Sequence, residues 1–200
     1  VPVLGITGGI ATGKTTFTRA LLRRLPAEVF DADRVARTLL ESDVATRQAV
    51  ANAFGADIYP AAGPADRDRL REMIFADPAN RTRLNKILHP SVRARWLALG
   101  ETARRNGGWL LIDIPLLYET QAEVHLDRVI VVGCSPQTQR RRLLTDRAMP
   151  LEMAERIIAA QLDLSTKIQR ADHVIWNDSS PACLEAQADL LTQWLTRHYG

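Results

Sequence analysis

Gly8-Gly9-Ile10-Ala11-Thr12-Gly13-Lys14-Thr15 fits the spacing G-x-x-x-x-G-K-[ST], a set of residue types that can hold a chain of phosphates. Glycines at positions 8, 9 and 13 allow backbone angles closed to other residues, so successive amide N–H groups can turn inward on phosphate oxygens at the positive end of a helix. Lys14 would then bring a point charge to the β and γ phosphates, and Thr15 a hydroxyl to a magnesium ion. The plain alternative is a glycine-rich turn carrying an ordinary surface lysine. The flanks favour the phosphate loop. The apolar run Val3-Leu4-Gly5-Ile6 reads as a buried strand, and Phe17, Leu21, Leu22 and Leu25 fall on one helical face just after the loop.

Three further groups of residues could act on a bound phosphate. A second strand, Glu28-Val29-Phe30, breaks into Asp31-Ala32-Asp33. A carboxylate at a strand end of an open α/β sheet projects into the crevice where ligands bind, but Asp33 could equally cap the helix that carries Val35, Leu39 and Leu40. The strand Trp109-Leu110-Leu111-Ile112 ends in Asp113 and has the form of a Walker B element, which holds magnesium through water. Arg140-Arg141-Arg142 and Asp146-Arg147 flank a turn marked by Pro150, which predicts a mobile lid whose guanidinium forks close on phosphoryl oxygens. No aromatic residues interleave with these arginines, so a nucleic-acid surface is disfavoured.

The elements needed to position these groups alternate between strand and helix. Arg128-Val129-Ile130-Val131-Val132-Gly133 is the clearest strand, Ser135-Pro136 starts a helix, Leu151 to about Leu162 is helical, and Asp172 to Asn177 is the last strand before a helix from Pro181 to His198. The alternation is suspended between residues 41 and 106. There the spacing predicts helices over Val44–Phe54 and Asp66–Phe75, a loop from Gly55 to Pro64, a stop near Pro78, a break at Pro90 and a third helix ended by Gly107-Gly108. This block carries Arg67, Arg69, Arg71, Arg81, Arg83 and Lys86, which by themselves read as a solvated face before a phosphate surface. The 200 residues are 46% hydrophobic, carry a net charge of +3 and contain no apolar run long enough to span a bilayer. Cys134 and Cys183 read as small buried hydrophobes, and the tryptophans as core or helix-packing residues.

Taken in order, Gly5-Ile6-Thr7-Gly8-Gly9-Ile10, Asp31-Ala32-Asp33, Ile74-Phe75-Ala76-Asp77-Pro78, His89-Pro90, Asp113-Ile114-Pro115-Leu116-Leu117-Tyr118-Glu119 and Ala171-Asp172-His173-Val174-Ile175-Trp176-Asn177 closely resemble the dephospho-CoA kinase family. The likeness runs over nearly the whole chain. It implies a P-loop kinase of three α/β/α layers around a five-stranded parallel sheet, with a helical substrate-binding excursion over about 41–106 and a lid over about 137–169. The nucleotide core would be about 1–40, 107–136 and 170–200. It implies ATP and Mg2+ as cofactors, dephospho-CoA as substrate, a cytoplasmic setting, no nucleic-acid or membrane partner, and a monomer or weak homo-oligomer. Carried over residue by residue, the catalytic set is Asp33 as base with Lys14, Arg140 and Arg147. The nucleotide set is Gly9, Ile10, Ala11, Thr12, Gly13, Lys14, Thr15 and Thr16 with Arg142 and Asn177, and the metal set is Thr15 with Asp113 through water. The substrate set is Asp31, Asp33, Arg67, His89, Leu116, Leu117, Tyr118 and Glu119. The chain departs from the family pattern where Asp146 precedes Arg147, which leaves Arg142 as an alternative lid arginine, and where Ala11-Thr12 replaces the common Gly-Ser. Two competing classes remain: a P-loop kinase acting on a nucleoside or nucleotide, and a nucleotide-dependent switch, which the missing N-K-x-D run disfavours.

Overall fold

The apolar run after Pro2 forms β1 (Val3–Gly8), every residue of which is buried. It is the middle strand of a five-stranded sheet ordered β2-β3-β1-β4-β5, with β2 at Ala27–Asp31, β3 at Trp109–Asp113, β4 at Arg128–Gly133 and β5 at His173–Trp176. Strand β1 pairs in parallel with β3 (Leu4 beside Leu111) and with β4 (Ile6 beside Ile130), and β4 pairs in parallel with β5. Parallel strands covered on both faces need unbroken apolar runs, which is why Leu110, Leu111 and Ile112 on one side and Ile130, Val131 and Val132 on the other carry no polar residue. The computed structural model describes residues 1–60 and 63–200, so Ala61 and Ala62, inside the loop expected over 55–64, lie outside the described residues.

The chain divides into two compact units, one of residues 1–30 with 99–200 and one of residues 31–98. In the first unit, α1 (Lys14–Leu22) and α9 (Pro181–Tyr199) cover one sheet face. Phe17, Ala20 and Leu21 of α1 and Leu184, Ala188, Leu191 and Leu195 of α9 enclose Leu4, Ile6, Ile130 and Val132 in one apolar cluster. Helix α6 (Pro136–Arg141) starts at Ser135, whose hydroxyl accepts the Thr138 amide at 3.2 Å, and runs into a π-helical turn at Arg142–Asp146. Helix α7 covers Leu151–Ala159 and ends three residues earlier than the apolar spacing predicts, because Asp163 caps a separate short helix, α8 (Leu164–Gln169). Two further expectations are corrected in this unit. Cys183 is exposed in the first turn of α9 while Cys134 is buried, and Trp176 is 45% exposed at the end of β5.

The second unit holds α2 (Ala32–Ser42), α3 (Val44–Phe54), α4 (Arg67–Ala76) and most of α5 (Pro78–Asn106). Asp31, Asp43 and Asp66 each accept an amide hydrogen bond as helix caps, at 2.9–3.0 Å. The cap of α2 is therefore Asp31, and Asp33 sits inside the first turn. The predicted break at Pro90 does not occur. A proline inside a helix costs about 3 kcal/mol, but Leu84, Leu88, Val92 and Trp96, spaced by four residues across it, are all buried and hold the two halves in line. The helix ends where expected: Gly107 has φ +67° and the Gly108 amide donates to the Ala103 carbonyl at 3.0 Å, a left-handed stop that favours glycine.

Candidate active site

Helix α1 begins at Lys14 behind a bare N-terminus. Its N-cap, Gly13, lies at φ +92° and gives no side-chain cap, whereas six other helices are capped by Asp31, Asp43, Asp66, Ser135, Asp163 and Ser180. The first amides of α1 are thus left for an outside acceptor, where the helix dipole favours an anion. The glycines of the loop divide the work differently from the sequence expectation. Of Gly8, Gly9 and Gly13 only Gly13 needs a left-handed backbone. Gly8 and Gly9 are there for space, since a Cβ on Gly8 would overlap the Val132 carbonyl and one on Gly9 would lie 2.8 Å from Gln139 Nε2. The other left-handed residue of the loop is Ala11, at φ +60°.

The loop is held from three sides. Thr12, fully buried, donates through Oγ1 to the Gly9 carbonyl at 2.9 Å. The Ile10 peptide is clasped by two glutamines: its amide donates to Gln161 Oε1 at 2.9 Å, and its carbonyl accepts from Gln139 Nε2 at 2.8 Å. Asn177 Nδ2 donates to the Thr12 carbonyl at 2.8 Å, while the Arg142 guanidinium donates to the carbonyls of Ala11 and Thr12, both at 3.2 Å, and of Asn177 at 2.8 Å. Beyond Arg142 opens a cleft of about 370 Å³ lined by Ala11, Gly13, Thr16, Arg142, Asp146, Arg147, Asn177, Ser179, Pro181 and Leu184. Its place beside the bare helix end suits the nucleoside of a nucleotide whose phosphates rest on the loop.

Lys14 forms an ion pair with Asp113 at the end of β3, and both side chains keep a little accessible surface, 15% and 13%. Thr15, one residue on, is exposed. A hydroxyl and a carboxylate are hard oxygen donors, and among the described residues no cluster of three metal-ligating side chains exists. That sparse set fits Mg2+, which keeps several waters and takes further oxygens from phosphates. Of the expected lid arginines, Arg147 lines the cleft, while Arg140 is paired with Glu155 of α7 at 3.8 Å.

The profile of the dephospho-CoA kinase family matches residues 2–182. The chain is 42% identical to the dephospho-CoA kinase of Anaeromyxobacter dehalogenans over 193 residues, spanning 94% of this chain and 90% of that one. It is 41% identical to that of Methylococcus capsulatus over 191 residues, or 94% of each. This chain belongs to the dephospho-CoA kinase family. In fold it resembles a solved Thermus thermophilus structure at 28% identity, with a TM-score of 0.71 and coverage of 99% and 98% of the two chains. A dephospho-CoA kinase from Campylobacter jejuni, 23% identical with 96% of each chain covered, has a TM-score of 0.65 and supports the same fold.

Against the family pattern, the structure redistributes several expected site residues. Leu117 and Tyr118 do not line an open wall: Leu117 has no accessible surface and its side chain lies against Gly5, and Tyr118 is 4% exposed. The Tyr118 hydroxyl finds no hydrogen-bond partner among the described residues, Arg170 stacks 4.4 Å from its ring centre, and burial pushes its pKa up to about 12. Leu116 keeps partial exposure, and Glu119 is engaged by Lys167, a residue that no motif marks. In the second unit, Arg67 pairs with Glu41 at 3.2 Å and Arg69 with Asp57, as a solvated face would. His89 instead lines a groove of about 670 Å³ along α5 with Lys86, Pro90 and Arg93, and burial together with the Arg93 charge lowers its pKa.

Proposed function

We propose that this chain moves the γ-phosphoryl group of ATP to the ribose 3′-hydroxyl of dephospho-CoA, giving CoA and ADP, the last step of CoA biosynthesis. The observation that carries the donor half is the start of α1, with Lys14 and Thr15 in its first turn behind the left-handed Gly13 and no side-chain cap, whereas six other helices are capped by their own side chains. On this reading the amides at the start of α1, from Gly13 to Thr16, cradle the triphosphate within the loop that begins at Gly9, Lys14 leaves Asp113 for the β and γ oxygens, and Arg142 with Asn177 frames the base. Thr15 and Asp113 would hold Mg2+, Asp113 through water; the ion would neutralise charge on the bridging oxygens. Arg147, and Arg140 once released from Glu155, would meet charge on the transferred group.

Asp33 is the proposed acceptor of the 3′-hydroxyl proton. What supports it is exposure in the first turn of α2, with the capping duty carried by Asp31. A carboxylate is a weak base, but phosphoryl transfer passes through a loose transition state, so orientation matters more than basicity. Asp33→Asn is expected to lower kcat roughly 10²- to 10⁴-fold while ADP titrations remain as in the parent; near-normal turnover removes Asp33 from this role. The cations Lys86 and Arg93 beside His89 support α5 as a surface for the anionic coenzyme. On this reading the reaction takes place in the cytoplasm, with the chain acting alone or as a weak homo-oligomer. No described helix is long and apolar enough to cross a membrane.

The direct test is to incubate the chain with ATP, Mg2+ and dephospho-CoA and to weigh the product. A mass gain of one phosphate, in preference to a panel of nucleosides, is expected; ATP hydrolysis without acceptor stimulation would sink the proposal.

A further inference from the structure

The connector from α7 into α8 touches both halves of the chemistry. At its start, Gln161 accepts the Ile10 amide of the phosphate loop at 2.9 Å. One residue later, the Leu162 amide donates to Glu119 Oε1 at 2.8 Å. Within α8, Lys167 has no accessible surface, and its ammonium donates to the same Glu119 oxygen at 2.9 Å and to the Pro115 carbonyl at 3.0 Å. That carbonyl also accepts the Thr7 hydroxyl at 3.0 Å, which ties it to β1 just before the phosphate loop.

Burying an ammonium costs solvation that a methionine of similar length would not lose, and a buried ion pair seldom exceeds a well-packed apolar pair in stability. What the charge adds is direction: two oxygens from one segment, Pro115 and Glu119, are fixed at one point. We propose that Lys167 is a positioning residue for the phosphoryl acceptor, holding the segment from Pro115 to Glu119 in register with the phosphate loop. The proposal rests on the reading of Leu116 and Glu119 as part of the acceptor wall. Lys167 touches neither substrate; it acts by keeping Leu116 and the Glu119 backbone where the acceptor meets them. A displacement of the order of 1 Å in such a support can cost about 10²-fold in turnover efficiency.

The test compares the parent chain with Lys167→Met and with the double variant Lys167→Met/Glu119→Gln, varying ATP and dephospho-CoA separately and recording thermal melts. In Lys167→Met, KM for dephospho-CoA is expected to rise roughly tenfold with KM for ATP within about twofold, the signature of lost acceptor binding rather than lost fold. Glu119 keeps 21% of its side-chain surface, so neither variant leaves a buried charge without a partner, and both melts are expected to stay near the parent while the acceptor KM is high in both. Recovery of the acceptor KM in the double variant, a parallel rise of both KM values, or failure of both variants to fold would each overturn the positioning role. Failure of the underlying assignment looks different: the parent chain itself then gives no acceptor-dependent product.

Discussion

Two lysine–carboxylate pairs lie in the same unit and serve opposite ends. Lys14 and Asp113 meet at the bare start of α1, each with some surface left to solvent, and the lysine's partner is a carboxylate that an incoming phosphate can replace in kind. Lys167 and Glu119 meet under the connector, where the ammonium is wholly enclosed and also holds a neutral carbonyl that no anion can displace. On the proposed function, the first pair is an exchangeable one, keeping a charge ready for an anion that carries more negative charge than Asp113. The second is a fixed one, using charge to place a segment of backbone. Two pairs of the same charge types thus differ in whether solvent can reach the ammonium.

The sharpest way to break this contrast is to remove each lysine. Lys14→Met is expected to lower kcat roughly 10²- to 10³-fold, measured by steady-state ADP release, with the acceptor KM little changed. Lys167→Met should show the reverse balance, the acceptor KM rising while kcat at saturating acceptor falls far less than in Lys14→Met. Glu119, left behind, keeps 21% of its side-chain surface and the Leu162 amide, so the stability loss read by urea denaturation stays small. A raised acceptor KM in the first variant or a large kcat loss in the second would erase the distinction.

How far sequence reasoning reached follows the same line. Lys14 was legible because its neighbours sit at fixed spacing on one turn of chain, and Asp113 because it ends an apolar run. Lys167 carried no local signal: in a short polar helix it looks like any surface lysine, and its partners lie 48 and 52 residues earlier. Gln139 and Gln161, which clasp Ile10, were hidden for the same reason. Asp33 read equally as a crevice carboxylate or as the cap of α2; the cap is Asp31, because β2 runs to that residue and the helix follows at once. At Pro90 a sound local rule lost to burial of Leu84, Leu88, Val92 and Trp96 on both sides of it. The sheet and the donor loop are written in short-range patterns, whereas the supports that hold them are long-range.

A smaller effect tests whether the connector also serves the exchangeable side. Gln161→Ala removes the acceptor of the Ile10 amide and leaves the Ile10 carbonyl bonded to Gln139. The net value of one such bond is about 1 kcal/mol, so ADP affinity is expected to weaken roughly fivefold in calorimetric titration, with the acceptor KM unchanged. A rise in acceptor KM alone would assign Gln161 to the fixed side.

The smallest effect lies under Lys167 itself. Asp163 caps α8, accepting the Ser165 amide at 2.7 Å, and the hydrogen bonds from the Ser165 hydroxyl and amide hold its carboxyl below the ordinary carboxylate range. The folded pKa is therefore depressed relative to an unfolded value of about 3.9. Stability from the cap is fully present above the unfolded value and is lost as pH falls through the folded one. Asp163→Ala should thus melt slightly below the parent at neutral pH, and the gap should close as the pH is taken below about 4. Because α8 presents Lys167, the same variant should raise the acceptor KM a little at neutral pH and not the ATP KM. A melting gap that persists unchanged in acid would mean that Asp163 holds α8 by packing rather than by its charge.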